Sequence, residues 1–147
     1  MVVYNVTDTT RDYTLAGQYS HQYFTSMIVD GVEMEVDVYY QFETVGLHTV
    51  EFVLFDNTKI EQSAFNNVQN MISVEFPSTI TYIYSGIGLQ WMETLKEITF
   101  HSKVAPLVTD DGVFDGISET GVFKYPKGSD YSAWIALLPE GWTTKEI

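Results

Sequence analysis

The sequence predicts a mainly β chain, much of it coiled into a short solenoid of about 24 residues per turn. A β module precedes the coil and a helical cap closes it. Three observations lead there. Pairs of β-branched and aromatic residues recur at intervals of 24 and 25. An Asp30-Gly31 dipeptide stands between two apolar runs. Ten Tyr and nine Phe tilt the composition toward strands.

The recurring pairs come first. Val74 and Phe76 lie 24 residues before Ile98 and Phe100, which lie 25 before Phe123 and Tyr125. A step of 24 back from Val74 and Phe76 reaches Val50 and Phe52. Each pair sits in a short alternating run, HTVEFVLF, ISVEFP, KEITFH or GVFKYP, and period-two alternation is a strand signal. Phe65, Leu89 and Phe114 keep the same step, as do Met71 and Leu95. A unit too small to bury its own apolar side must stack on its neighbours. The pairs are therefore expected to form inward columns of a parallel sheet, with Phe65, Leu89 and Phe114 plugging the core from the opposite wall.

The alternate positions then face outward. One row is Thr49, Ser73, Glu97 and Val122; the next is Glu51, Glu75, Thr99 and Lys124. Strands stack about 4.8 Å apart, so Glu51 and Glu75 are expected to be neighbours of like charge, a place that gains from a cation or a basic partner. These eight residues are the candidate binding surface, and a solvated sheet face is the plainer alternative.

From Ala64 the chain reads AF-x2-V-x2-M-x2-V-x-F-P-x2-I-x-Y-I. This resembles the BspA-like leucine-rich repeats of bacterial surface proteins. Their unit runs as AF, two residues, Cys, two, Leu, two, Val, one, Ile-Pro and a Ser-Val-Thr-x-Ile-Gly turn. Ala64, Phe65, Met71, Val74, Phe76 and Pro77 fall on that pattern, and STITYI, 78–83, falls on the turn. Val68 replaces the usual Cys, in a chain with no cysteine at all. The second unit departs from it, with Gly88-Leu89 at the AF position and His101 at the Pro position. VFDGISETGVFKYPKGSDYSAW is similar to the way such arrays end. The resemblance covers about residues 48 to 142. It implies a leucine-rich-repeat-like solenoid over 48–128 in an exposed setting, adhering to proteins or glycans.

Residues 1–47 read as an N-terminal β cap or small sandwich-like module. Asp30-Gly31 is a two-residue hairpin signal. Met34, Val36, Val38 and Tyr40 alternate with Glu33, Glu35, Asp37 and Tyr39, as in a sheet with one wet face. The first dozen residues are either loose or an arm that docks. Residues 129–147 read as the C-terminal cap. Tyr131, Trp134, Ile135 and Leu138 form a helical stripe, started by Ser129 or Asp130 and stopped by Pro139. Trp142 is expected to pack there; sugar stacking by Trp134 or Trp142 is the second choice.

Twenty acidic against seven basic residues give a net charge of −13. Such a surface repels phosphate backbones and anionic bilayers, which argues against nucleic acid as a partner. No apolar run approaches the roughly 20 residues of a spanning helix. Without cysteine there are no disulfides and no thiolate metal sites. The start, MVVYNVTDTTRDYTLAG, shows neither the basic nor the apolar region of a signal peptide.

Little points to catalysis. His21, His48 and His101 are 27 and 53 residues apart, so surface or turn roles are expected rather than metal ligation. TDDGVFDG offers Asp110, Asp111 and Asp115 as Ca²⁺ candidates, although their spacing is not that of an EF-hand and a turn accounts for them. As a glycosidase pair they lack any fixed separation. No catalytic residue and no cofactor is expected. The expected function is a non-enzymatic recognition or structural protein, an exposed decoration or adhesion module of a phage virion. Its partners would be other virion or surface proteins, or a host protein or glycan, and a homo-oligomer is possible. A fragment of a bacterial cell-surface adhesin is the alternative, and a carbohydrate-active hydrolase stands further off.

Overall fold

The computed structural model describes residues 1–61, 63–65, 68–84 and 89–108, the backbone of Asp111, and residues 112–147. The strands are β1 (Val2–Val6), β2 (Tyr13–Thr14), β3 (Phe24–Val29), β4 (Val32–Met34), β5 (Tyr39–Tyr40), β6 (Gly46–Leu54) and β7 (Lys59–Ile60). They continue as β8 (Met71–Phe76), β9 (Tyr82–Ile83), β10 (Glu97–Phe100), β11 (Leu107–Val108), β12 (Thr120–Tyr125) and β13 (Gly141–Glu146). A single α-helical turn, α1, covers Ser132–Ile135.

The fold is mainly β, with a solenoid of about three turns at 24-residue spacing. β8, β10 and β12 run parallel in the register the repeat demands: Val74 beside Ile98 beside Phe123. All three side chains are buried, as are Phe65, Leu89 and Phe114 on the far wall and Met71 and Leu95 between. A further column, Val68, Met92 and Ile117, is buried at the same step. The coil has a second parallel sheet, β7–β9–β11, with Ile60 beside Ile83 beside Val108. Its strands are two residues long, too short to alternate visibly in sequence.

The front of the chain belongs to the same sheet. The large sheet runs β13-β12-β10-β8-β1-β6-β3-β4. β1 lies antiparallel to both β6 and β8, with Val2 opposite Val50 on one side and Val74 on the other. The first residues are thus an arm docked within the chain's own sheet. β6 and β8 keep the common level of the 24-residue step, but a strand stands between them. One hydrophobic cluster runs from Val2 to Trp142.

Asp30 and Gly31, at φ 49° and 85°, make the β3–β4 hairpin turn, a left-handed pair suited to that dipeptide. The alternation beyond it holds in burial: Met34, Val36, Val38 and Tyr40 pack on the core, and the residues between them are exposed. The C-terminal segment differs from expectation. The helix is one turn, and Gly141–Glu146 returns as β13, parallel to β12. Tyr131 and Trp134 are buried against Phe100 and Phe123, so the apolar stripe closes the core with little helix. Trp142 is buried too, its indole N–H donating to the Ser118 carbonyl at 2.7 Å.

Two outcomes test this packing. A β-carbon at Gly17 would stand 1.7 Å from the Ser63 carbonyl oxygen, where the front of the chain meets the first repeat. Gly17→Ala is expected to cost at least about 3 kcal/mol in denaturant unfolding. The buried Tyr131 hydroxyl donates to the Ser102 carbonyl at 2.8 Å, and burial pushes its pKa up to about 12. The unfolded chain therefore loses this proton first, near its ordinary value of 10. Stability is full below pH 10 and falls as pH rises toward 12. Tyr131→Phe is expected to flatten that slope in alkaline melts and to cost about 1 kcal/mol at neutral pH.

Candidate binding face

Alternation along β6, β8, β10 and β12 sends the inward pairs to the core and leaves the eight predicted residues on the opposite face. Glu51 is exposed; Thr49, Ser73, Glu75, Glu97, Val122 and Lys124 are half-buried; Thr99 is buried. The structure brings all eight onto one face but changes their neighbours. Val3 stands between Thr49 and Ser73. Met1 stands between Glu51 and Glu75, its carbonyl accepting from the Glu75 N–H at 2.7 Å. The expected contact of Glu51 with Glu75 is therefore overturned. An inserted strand doubles their spacing to about 9.6 Å. No alternation pattern announces this, because β1 reaches its place from the other end of the fold.

Beyond β8 the rows stack directly. Glu97 lies beside Ser73 and Val122, and Thr99 beside Glu75 and Lys124. β13 extends both rows by Thr143 and Lys145. The second row therefore runs from two carboxylates, Glu51 and Glu75, to two ammonium groups, Lys124 and Lys145. Across it Lys124 pairs with Glu97 at 2.6 Å, and His101 pairs with Glu75. Partly exposed pairs at a solvent-facing surface contribute about 0–1 kcal/mol, so these side chains remain open to exchange with a partner.

His48 is buried, and it serves the hairpin turn. Its Nδ1 lies 2.6 Å from the Asp30 carboxylate and its Nε2 lies 2.9 Å from the Thr44 carbonyl. The ring thus bridges the Asp30 side chain and the Thr44 backbone. Asp30 also accepts from the Thr49 N–H at 2.8 Å. Partial burial pushes the Asp30 carboxyl up, but these hydrogen bonds outweigh it and hold the pKa below its ordinary 3.8.

Asp110 and the side chain of Asp111 lie outside the described residues. Asp115 is exposed, and its backbone carbonyl accepts from the Trp91 N–H. Among the described residues no group of three or more His, Asp or Glu is placed to hold a metal ion. Trp134 and Trp142 are sealed in the core, which removes them as sugar platforms. The exposed tryptophan is Trp91, which sequence reasoning passed over. It is 58% exposed, has a left-handed backbone at φ 60°, and lies over Gly116, where a β-carbon would come within 2.6 Å of its ring. Its only sequence signal is a Trp outside the repeat columns.

The Asp30 linkage gives a test. Its stabilisation is full above pH 3.8 and is lost as pH falls through the depressed folded value. Asp30→Asn keeps a residue tolerant of the turn but removes the charge. It is expected to cost about 1 kcal/mol at neutral pH, with the gap to wild type closing in acid melts below pH 3.8.

Compared with protein-family models, curated proteins and solved structures, the chain matches none of them.

Proposed function

We propose that this protein is a non-enzymatic recognition module of the BspA-like leucine-rich-repeat type, displayed on the exterior of a phage virion and touching protein or glycan through the outward face of its sheet. The observation that carries the reading is the charge-graded row from Glu51 and Glu75 to Lys124 and Lys145, held at strand spacing on a hydrogen-bonded ladder. Such a row presents a partner with fixed charges at fixed intervals, which favours recognition by electrostatic complementarity. The repeat type is supported by the burial of Ala64, Phe65, Val68, Met71, Val74 and Phe76, the positions that match its unit. The exposed setting follows from that resemblance.

Mass spectrometry of purified phage particles and washed cell envelopes tests the setting. Stoichiometric recovery in particles is expected. Recovery in envelopes alone would make this part of a bacterial surface adhesin. The face is tested by reversing Glu51 and Glu75 to Lys, which is expected to weaken retention on the particle or cell surface at least about tenfold. Unchanged retention would remove the face as the site.

A further inference from the structure

We propose that Trp91 is a stacking platform for a neutral hexopyranose, with the Asp115 carboxylate accepting hydroxyl groups at its rim. Trp91 lies outside the apolar columns, but the steps of 24 and 25 give it counterparts in the neighbouring turns, Asn67 and Gly116. Asn67 lies outside the described residues. Trp91 and Gly116 share a left-handed backbone, at φ 60° and 70°. That conformation suits glycine or asparagine and strains a residue with a bulky side chain. Core packing does not offset the strain, because Trp91 is 58% exposed. Strained residues of this kind gather where ligands are handled.

The ring is positioned before any ligand arrives. The Trp91 N–H donates to the Asp115 carbonyl at 2.8 Å, and Gln90 Nε2 donates to the Gly112 carbonyl at 2.6 Å. Both bonds tie the segment to the next turn of the coil. The benzenoid part of the indole lies against Gly116, where a β-carbon would stand 2.6 Å from Cε3 and 3.1 Å from Cδ2. Glycine at 116 leaves that seat open for the ring.

The surroundings select the ligand. Glu93 follows Trp91 by two residues, Asp115 immediately precedes the ring's seat, and both are exposed. Protein partners are held by clusters of apolar side chains buried together, whereas this ring stands beside polar groups. A pyranose fits such a place, because its C–H face packs on an aromatic surface while its hydroxyls meet acceptors around the edge. Among the described residues the Asp115 carboxylate has no hydrogen bond or ion pair, so both oxygens are open to hydroxyl donors. A net charge of −13 repels uronic and sulfated sugars, which leaves neutral ones. Trp91 belongs to the β9–β10 connection and has no part in the charge-graded row, so failure of either site leaves the other standing.

The test titrates the ¹⁵N-labelled protein with cellotetraose, triacetylchitotriose and, as the anionic control, trigalacturonate. A neutral sugar is expected to shift the Trp91 indole N–H and the Gly116 amide, leaving the indole signals of the buried Trp134 and Trp142 in place. Trigalacturonate is expected to bind at least about tenfold more weakly. Trp91→Gly puts the residue of the next turn into a backbone that suits it, so it is expected to melt no lower than wild type and to lose the sugar. Asp115→Asn changes an exposed side chain, keeps the fold, and is expected to weaken binding at least about tenfold. No shift with either neutral sugar at millimolar concentration, shifts that map elsewhere, binding that survives Trp91→Gly, or unchanged affinity in Asp115→Asn would each overturn the proposal. So would tighter binding of tetramethylammonium or pentaproline than of either sugar, because the ring would then be a platform for a cation or a peptide.

Discussion

The backbone pairing of β1 with β6 on one side and β8 on the other is the interaction on which the rest of this structure depends. β6 and β8 carry apolar residues at matching levels, Val50 and Val74 on either side of Val2, but they are not paired with each other. Without β1, the β3–β4–β6 layer and the parallel coil would each present a bare strand edge over an open core. An exposed edge of that kind is a liability that folded chains cover. One five-residue strand covers two edges at once, and its inward Val2, Tyr4 and Val6 fill the space between the layers. Tyr4 does more, its buried hydroxyl donating to the Leu15 carbonyl at 2.6 Å and tying the next segment down.

Electrostatics plays a secondary part in holding the fold. Among the described residues most carboxylates are at the surface, where their charge is hydrated and does not decide the topology. Asp30, also at the surface, does more. It combines a left-handed backbone with hydrogen bonds to His48 and Thr49, so turn chemistry and charge act on one residue.

The sequence reveals the coil because inward residues repeat at a constant step. Val74, Ile98 and Phe123 announce both a strand and its neighbour. It reveals the Asp30-Gly31 turn because few dipeptides suit two successive left-handed residues. It conceals β1, since VVYNV alternates but carries no sign of which strands it pairs with. It conceals β13 as well, because Gly141, Thr143 and Thr144 bury nothing, and Trp142 alone marks the inward side. The candidate face is legible as a set of positions, since alternation fixes which side they share. Its neighbour relations are not, because Met1 and Val3 enter from a distant part of the chain. Trp91 lies outside every periodic column, so periodicity was silent about it.

The intercalated strand also sets the order in which this chain must fold. Val2 meets partners 48 and 72 residues away, Val50 and Val74. Closing loops of that length costs chain entropy before any ladder bond repays it. Proteins rich in such distant pairings fold slowly. The repeats, by contrast, pair at a separation of one turn and can zip locally. A ribosome-bound chain would therefore hold β1 in waiting until β8 has emerged, with the edges of β6 and β8 open meanwhile. The vulnerable period of this protein is its biosynthesis, and chaperone dependence would concentrate there rather than in the finished fold.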